Sequence, residues 1–104
     1  MTREEWAALV AANPFPEAVE VPKFLHAAVL AGVPPEGAVE KLRESAGEGE
    51  RIEVVGRVAY LHTPNGFGRS KLAEKFDKGI GVANTARNWN TVMKLLEMAD
   101  AAAG

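Results

Sequence analysis

Hydrophobic positions in the first half of the chain predict a helix, a strand and a second helix. Residues 6–10 carry Trp, Leu and Val at the spacing of one helix face, and residues 2–5 fit a capping box before it. The run 24–30 is apolar on both alternating faces, which favours a strand covered on both sides, although a short buried helix has the same pattern. An apolar stripe within residues 38–42 predicts the next helix.

The second half predicts two strands followed by two helices. Residues 51–63 alternate between apolar and polar side chains on either side of a tight turn at residues 56–57. Leucine and phenylalanine at helical spacing predict a helix over about 69–78 that ends at Gly79. The pair Asn84-Thr85 offers two candidate caps for the last helix.

This order of elements predicts an α+β fold, in which helices pack on a small mixed or antiparallel sheet of about three strands. The 104 residues suit a single domain over residues 1–104, long enough to bury a core. A content of 47% hydrophobic and 25% charged residues excludes an intrinsically disordered chain.

Charge is divided unevenly along the chain. Residues 1–56 contain ten acidic and five basic side chains, for a charge of −5, whereas residues 57–104 contain four acidic and seven basic ones, for +3. A basic second half can attract anionic partners, although both halves could equally be ordinary solvated surface. The glutamates between Glu36 and Glu53 are interpreted as such surface.

Composition also limits the chemistry. The chain has no cysteine, which excludes disulfides, thiolate metal sites and cysteine nucleophiles. Two histidines are too few for a multi-histidine metal cage, although not for a site of histidine and carboxylate ligands. We expect no cofactor and no metal site. The longest apolar stretch, residues 24–33, is about half of a membrane span. No basic and apolar leader opens the sequence, so we expect a cytoplasmic protein without a membrane partner.

A series of motifs runs along the second half of the chain: Val55–His62, Pro64–Leu72, Gly81–Ala83, Thr85–Val92 and Lys94-Leu95. Together with the segments Ala12–Phe15 and Leu25–Ala27, these motifs resemble a bacterial family known as domain of unknown function 1697. The resemblance implies two related α+β halves on a ferredoxin-like plan, of which this chain resembles the C-terminal half, a ferredoxin-like half-domain without its N-terminal half. It implies no activity and no catalytic residue.

The first candidate site is the loop from Gly66 to Lys71. Gly66 and Gly68 would let backbone amides approach a ligand at the start of a helix, whose positive end favours anions. Arg69 and Lys71 add charge, and Ser70 offers a hydroxyl. The spacing is not that of a P-loop. The structural alternative is a strand-to-helix turn in which Ser70 is a cap.

The second candidate site is the predicted helix start at residues 84–90. Arg87 could bind a carboxylate or phosphate through two hydrogen bonds, and Asn88 could join it, unless Arg87 is only a structural tether. Trp89 is interpreted as a core residue because it begins an apolar stripe. If both helix starts face one hollow, they would form a basic site.

Three functions remain open from the sequence. The favoured one is a small binding module that holds a phosphate-bearing small molecule at the Gly66–Lys71 loop and the Asn84–Asn90 helix start, with nucleic acid as a weaker partner. The second is a structural half-domain that docks onto a partner half or self-associates. The third is an enzyme for a small acidic or phosphorylated substrate, with His62 or Tyr60 near Arg87, although no catalytic motif is legible.

Overall fold

The computed structural model describes residues 2–47, 49–64, 66 and 70–103. Within these residues it contains four α-helices and four β-strands, together with two short 3₁₀ segments before the first strand. The protein is therefore of the α+β class, as predicted. The elements are α1 (Arg3–Ala11), the 3₁₀ segments Pro16–Glu20 and Pro22–Phe24, β1 (Leu25–Leu30), α2 (Ala38–Ser45), β2 (Arg51–Val55), β3 (Val58–His62), α3 (Lys71–Gly79), β4 (Asn84–Asn88) and α4 (Trp89–Ala103).

The four strands form one antiparallel sheet in the order β2-β3-β1-β4. Ala27 on β1 faces Tyr60 on β3 at one edge and Arg87 on β4 at the other. Strands β2 and β3 form the predicted hairpin, with Val55 opposite Val58. The outer edges of the sheet are β2 and β4.

Helices cover both faces of the sheet. One face packs against α2 and α3, and we call it the α2/α3 face. The other packs against α1 and α4, and we call it the α1/α4 face. Because successive strand side chains point to opposite faces, both cores take residues from β1 and β3. The buried core of the α2/α3 face is Ala28, Leu30, Leu42, Ile52, Ala59, Leu61, Leu72, Phe76 and Ile80, and that of the α1/α4 face is Leu9, Phe15, Ala18, Leu25, Ala27, Tyr60, Trp89 and Val92.

Side chains set the helix ends that the sequence predicted at Thr2 and Ser70. The Thr2 hydroxyl accepts from the Glu5 amide at 3.2 Å, and the Glu5 carboxylate accepts from the Thr2 amide at 2.9 Å. These two bonds complete a capping box at α1. The Ser70 hydroxyl accepts from the Ala73 amide at 2.9 Å and caps α3.

Two expectations for the second half are corrected. Residues Asn84–Asn88 form a fourth strand, so the sheet has four strands rather than about three, and α4 starts at Trp89. Asn88 caps α4 in place of Asn84 or Thr85, since its side-chain oxygen accepts from the Thr91 amide at 2.9 Å. The strand has no apolar alternation because Thr85, Ala86 and Arg87 are exposed.

Helix α3 ends at Gly79, as predicted, but Gly79 is not a left-handed residue, and the left-handed position that follows is Gly81, with φ +75°. At Gly79, a Cβ would lie 2.6 Å from the buried Leu42 side chain of α2. The glycine is therefore explained by close packing of the two helices rather than by a helix stop.

Replacing Gly81 tests the tight passage into β4. A Cβ there would lie 2.8 Å from the Pro35 ring, in addition to the left-handed φ. We expect Gly81→Ala to lower the free energy of unfolding by about 2–3 kcal/mol, measured in urea. Gly56 also has a left-handed φ, of +60°, but open space around it, so Gly56→Ala should cost only about 1 kcal/mol. Equal losses would contradict the packing argument.

The buried imidazole of His26 makes stability depend on pH. His26 is 8% exposed, and burial lowers its pKa from 6.5 to about 4. The unfolded chain therefore binds this proton more tightly, so stability is complete above pH 6.5 and falls as the pH drops toward 4. We expect a free energy of unfolding about 2 kcal/mol lower at pH 5 than at pH 7.

The control for this pH dependence is His26→Gln, which should lose most of the difference between pH 5 and pH 7. His62→Gln is the matched variant and should keep most of the difference, because His62 is only half-buried and its pKa is lowered less than that of His26. A His26→Gln protein that keeps the full pH dependence would show that another group is responsible.

Candidate functional site

The start of α3 holds an anion that belongs to the chain itself, the carboxylate of Glu50. Its Oε1 accepts from the Leu72 amide in the first turn of α3 at 3.2 Å and from the Gly47 amide at 2.6 Å. Burial raises the pKa of Glu50, but hydrogen bonds from Ser70 and the two backbone amides outweigh this and lower it below its usual value. A helix start attracts negative charge, and here an internal carboxylate supplies it.

This contact corrects the interpretation of all glutamates from Glu36 to Glu53 as solvated surface. Glu50 is half-buried and joins the turn before β2 to a helix more than twenty residues later. The sequence offered one signal, the glycines that flank it at Gly47 and Gly49.

The structure describes only some of the remaining residues of the first candidate site, the Gly66–Lys71 loop. Gly66 has φ +100°, and its amide donates to the Thr63 carbonyl at 2.9 Å in a turn. Lys71 is the exposed first residue of α3. Gly68 and Arg69 lie outside the described residues. Anion binding by this loop therefore stays a prediction.

The structure does not bring Arg87 to the start of α3. Arg87 pairs with Ala27, whose side chain belongs to the core of the α1/α4 face, whereas α3 covers the other face. Asn88 pairs with His26 at the end of the sheet where β3 also ends. Of Arg87 and Asn88, the two residues predicted for the second candidate site, only Asn88 lies at the end of the sheet from which the Gly66–Lys71 loop follows. The side-chain oxygen of Asn88 already caps α4.

Tyr60 and Trp89 are structural residues. Tyr60 is 0% exposed, its hydroxyl donates to the Leu9 carbonyl at 2.6 Å, and burial raises its pKa to about 12. Its ring lies 6.5 Å from the ring of Trp89, which is buried as predicted. The hydrogen bond of the Tyr60 hydroxyl therefore joins β3 to α1.

His62 belongs to a cluster centred on Arg51, which contacts His62, Glu17 and the ring of Phe15. Arg51 Nη2 lies 2.5 Å from Glu17 Oε1 and 3.1 Å from His62 Nδ1, and the guanidinium stacks 4.4 Å from the centre of the Phe15 ring. Burial, and next the charge of Arg51, lower the pKa of His62. A guanidinium can only donate, so His62 Nδ1 is the acceptor in its contact with Arg51, and the ion pair of Arg51 with Glu17 joins the 3₁₀ segment Pro16–Glu20 to β2.

Among the described residues, no group of three or more acidic, histidine or cysteine side chains could hold a metal ion. None of the helices in the described part of the chain has the length and apolar character needed to cross a bilayer.

The outer edge of β4 is one of the two open edges of the sheet. The Ala31 amide donates to the Ala83 carbonyl at 2.8 Å. Backbone groups alternate along a strand, so those of Thr85 and Arg87 also face β1, and those of Asn84, Ala86 and Asn88 point outward. No other strand in the described residues pairs with this edge. Beside it, on the α1/α4 face, is a cleft of about 240 Å³ lined by Trp6, Ala27, Val29, Thr85, Arg87 and Leu95.

The fold defines an α+β protein whose sheet is covered by helices on both faces and open along its two edge strands, β2 and β4. Residues 1–60 match the model of the family described as Protein of unknown function (DUF1697). The match spans more than half of the 104 residues, so the chain belongs to this family, which confirms the family predicted from the motifs. No curated protein and no solved structure matches the chain.

Removing the charge of Glu50 tests its role at the start of α3. Glu50→Gln should lower the free energy of unfolding by about 1–2 kcal/mol, because amides that now face a carboxylate would lose a charged acceptor. Glu44→Gln is the control, since Glu44 is exposed on α2. Urea unfolding at pH 7 measures both variants, and equal losses would contradict a specific role for Glu50.

Proposed function

We propose that the protein is an interaction module that associates with a second copy of itself through the outer edge of β4. The observation that carries the proposal is the outward-facing row of backbone groups at Asn84, Ala86 and Asn88, next to exposed side chains, with which no other strand of the described residues pairs. The Ala86 carbonyl accepts from the neighbouring Arg87 side chain, a contact that pairing with a second strand would replace. An open strand edge is a template for pairing with another strand, which would satisfy these donors and acceptors.

The order of residues in β4 suits antiparallel self-pairing. With Ala86 opposite Ala86 of a second copy, the whole strand overlaps and outward groups meet outward groups. A shift that centres the pairing on Arg87 would place two guanidinium groups directly opposite, which is unfavourable. The pairing centred on Ala86 avoids this contact and gives the longest overlap.

The other edge of the sheet is less suited to pairing. Strand β2 carries Arg51 and Glu53, both of which are engaged in ion pairs, with Glu17 and Arg43 respectively. Charged side chains on an edge strand discourage contact with another strand. In β4 the only charged side chain is Arg87.

The same architecture supports our inference of a ferredoxin-like unit. The support for it is the connection β1-α2-β2-β3-α3-β4 with strand order β2-β3-β1-β4, which is similar to the split β-α-β plan. Helices α1 and α4 add a layer on the second face. A partner half of the same plan is the other occupant that the edge could accept.

Sedimentation equilibrium on the 104-residue protein tests the proposal. We expect a concentration-dependent dimer, and we expect Ala86→Lys to weaken the dimer at least tenfold because two lysines would face each other across the pairing. Val55→Lys is the matched control, since Val55 is an exposed residue of β2, 41% accessible. A wild-type protein that stays monomeric, or equal effects of the two variants, would contradict the proposal.

A further inference from the structure

We propose that pairing of two β4 strands creates an oxyanion site in which Arg87 and Thr85 of both copies bind one phosphate group. This inference rests on the proposed association through β4, because one copy supplies only half of the site.

The register of the pairing places these side chains together. With Ala86 at the centre, Thr85 lies opposite Arg87 of the second copy, and Arg87 lies opposite its Thr85. These are pairs without backbone hydrogen bonds between them, in which the Cα atoms are about 4.5 Å apart and the side chains are closest. Thr85 and Arg87 both lie on the α1/α4 face. A two-fold axis perpendicular to the sheet keeps that face common to both copies, so all four side chains lie on one side.

Arg87 is available for such a ligand. Its side chain is exposed, and its Nη1 donates to the carbonyl of its neighbour Ala86 at 3.2 Å. In the part of the chain that the structure describes, no carboxylate forms an ion pair with it. The half-buried side chains of Trp6 and Leu95 line the adjoining cleft, and apolar walls reduce the screening of its charge by water.

The charge balance favours a doubly charged oxyanion. Residues diagonal to each other across two strands are about 7–8 Å apart, so the two guanidinium groups repel in the dimer. A phosphate between them would remove this repulsion and accept paired hydrogen bonds from both. A single carboxylate has two oxygens, and one guanidinium uses both of them in a paired hydrogen bond, so the second guanidinium would be left without an equivalent acceptor. Phosphate therefore fits the pair better than a monocarboxylate.

The test compares dimerisation of the 104-residue protein in sodium phosphate, sodium acetate and sodium chloride at equal ionic strength, by sedimentation equilibrium. We expect the dimer dissociation constant to be at least tenfold lower in phosphate than in chloride, with acetate close to chloride. Arg87→Gln should give the same constant in all three salts. Lys94→Gln, which removes an exposed cation of α4, should keep the phosphate effect.

The outcomes separate this inference from the proposed function. A dimer with equal dissociation constants in phosphate and chloride would overturn the phosphate site and leave self-association in place. Equal strengthening by acetate would overturn the preference for phosphate. A monomer in every salt would overturn the association through β4 and the site with it.

Discussion

Strand β1 is the element on which the other elements depend, because it is hydrogen-bonded along both edges and covered on both faces. Five of its six residues are buried, and it pairs with β3 on one side and β4 on the other. A strand without water on either face must satisfy every backbone group within the sheet and needs apolar cover above and below. The positions of the two helix pairs and of both neighbouring strands follow from this requirement.

Three side-chain contacts then fix the connecting segments to this frame. Glu50 joins the turn before β2 to the start of α3, Arg51 joins β2 to Glu17 and His62, and the Tyr60 hydroxyl joins β3 to α1. The Tyr60 hydroxyl is buried and Glu50 is half-buried, so the surrounding protein reduces competition from water at these two contacts, whereas the ion pair of Arg51 with Glu17 is exposed. Acidic residues of the first half are therefore partly structural, and the charge difference between the two halves is not simply a division of solvated surface.

Most of the elements were predictable because they bury one apolar face. The spacing of apolar residues in α1, α3 and α4 and the alternation in the β2-β3 hairpin are local signals, as are the caps at Thr2 and Ser70. Strand β4 was not predictable in the same way. Its residues are small or polar and mostly exposed, and it is a strand because β1 offers it hydrogen bonds. The second candidate site was wrongly predicted for the same reason. Residues 84–88 were expected to begin a helix, but they form the edge strand β4.

The sequence by itself determined the α+β class, the family, the buried face of each main element and the caps at Thr2 and Ser70, because these depend on residues within a few positions of each other. Only the tertiary structure decided the strand order, the position of Arg87 on the face opposite α3, the carboxylate that occupies the start of that helix and the glycine at the contact of α2 with α3. These features join residues far apart in the chain. Hydrophobic periodicity records that a side chain is buried, but not which distant segment buries it.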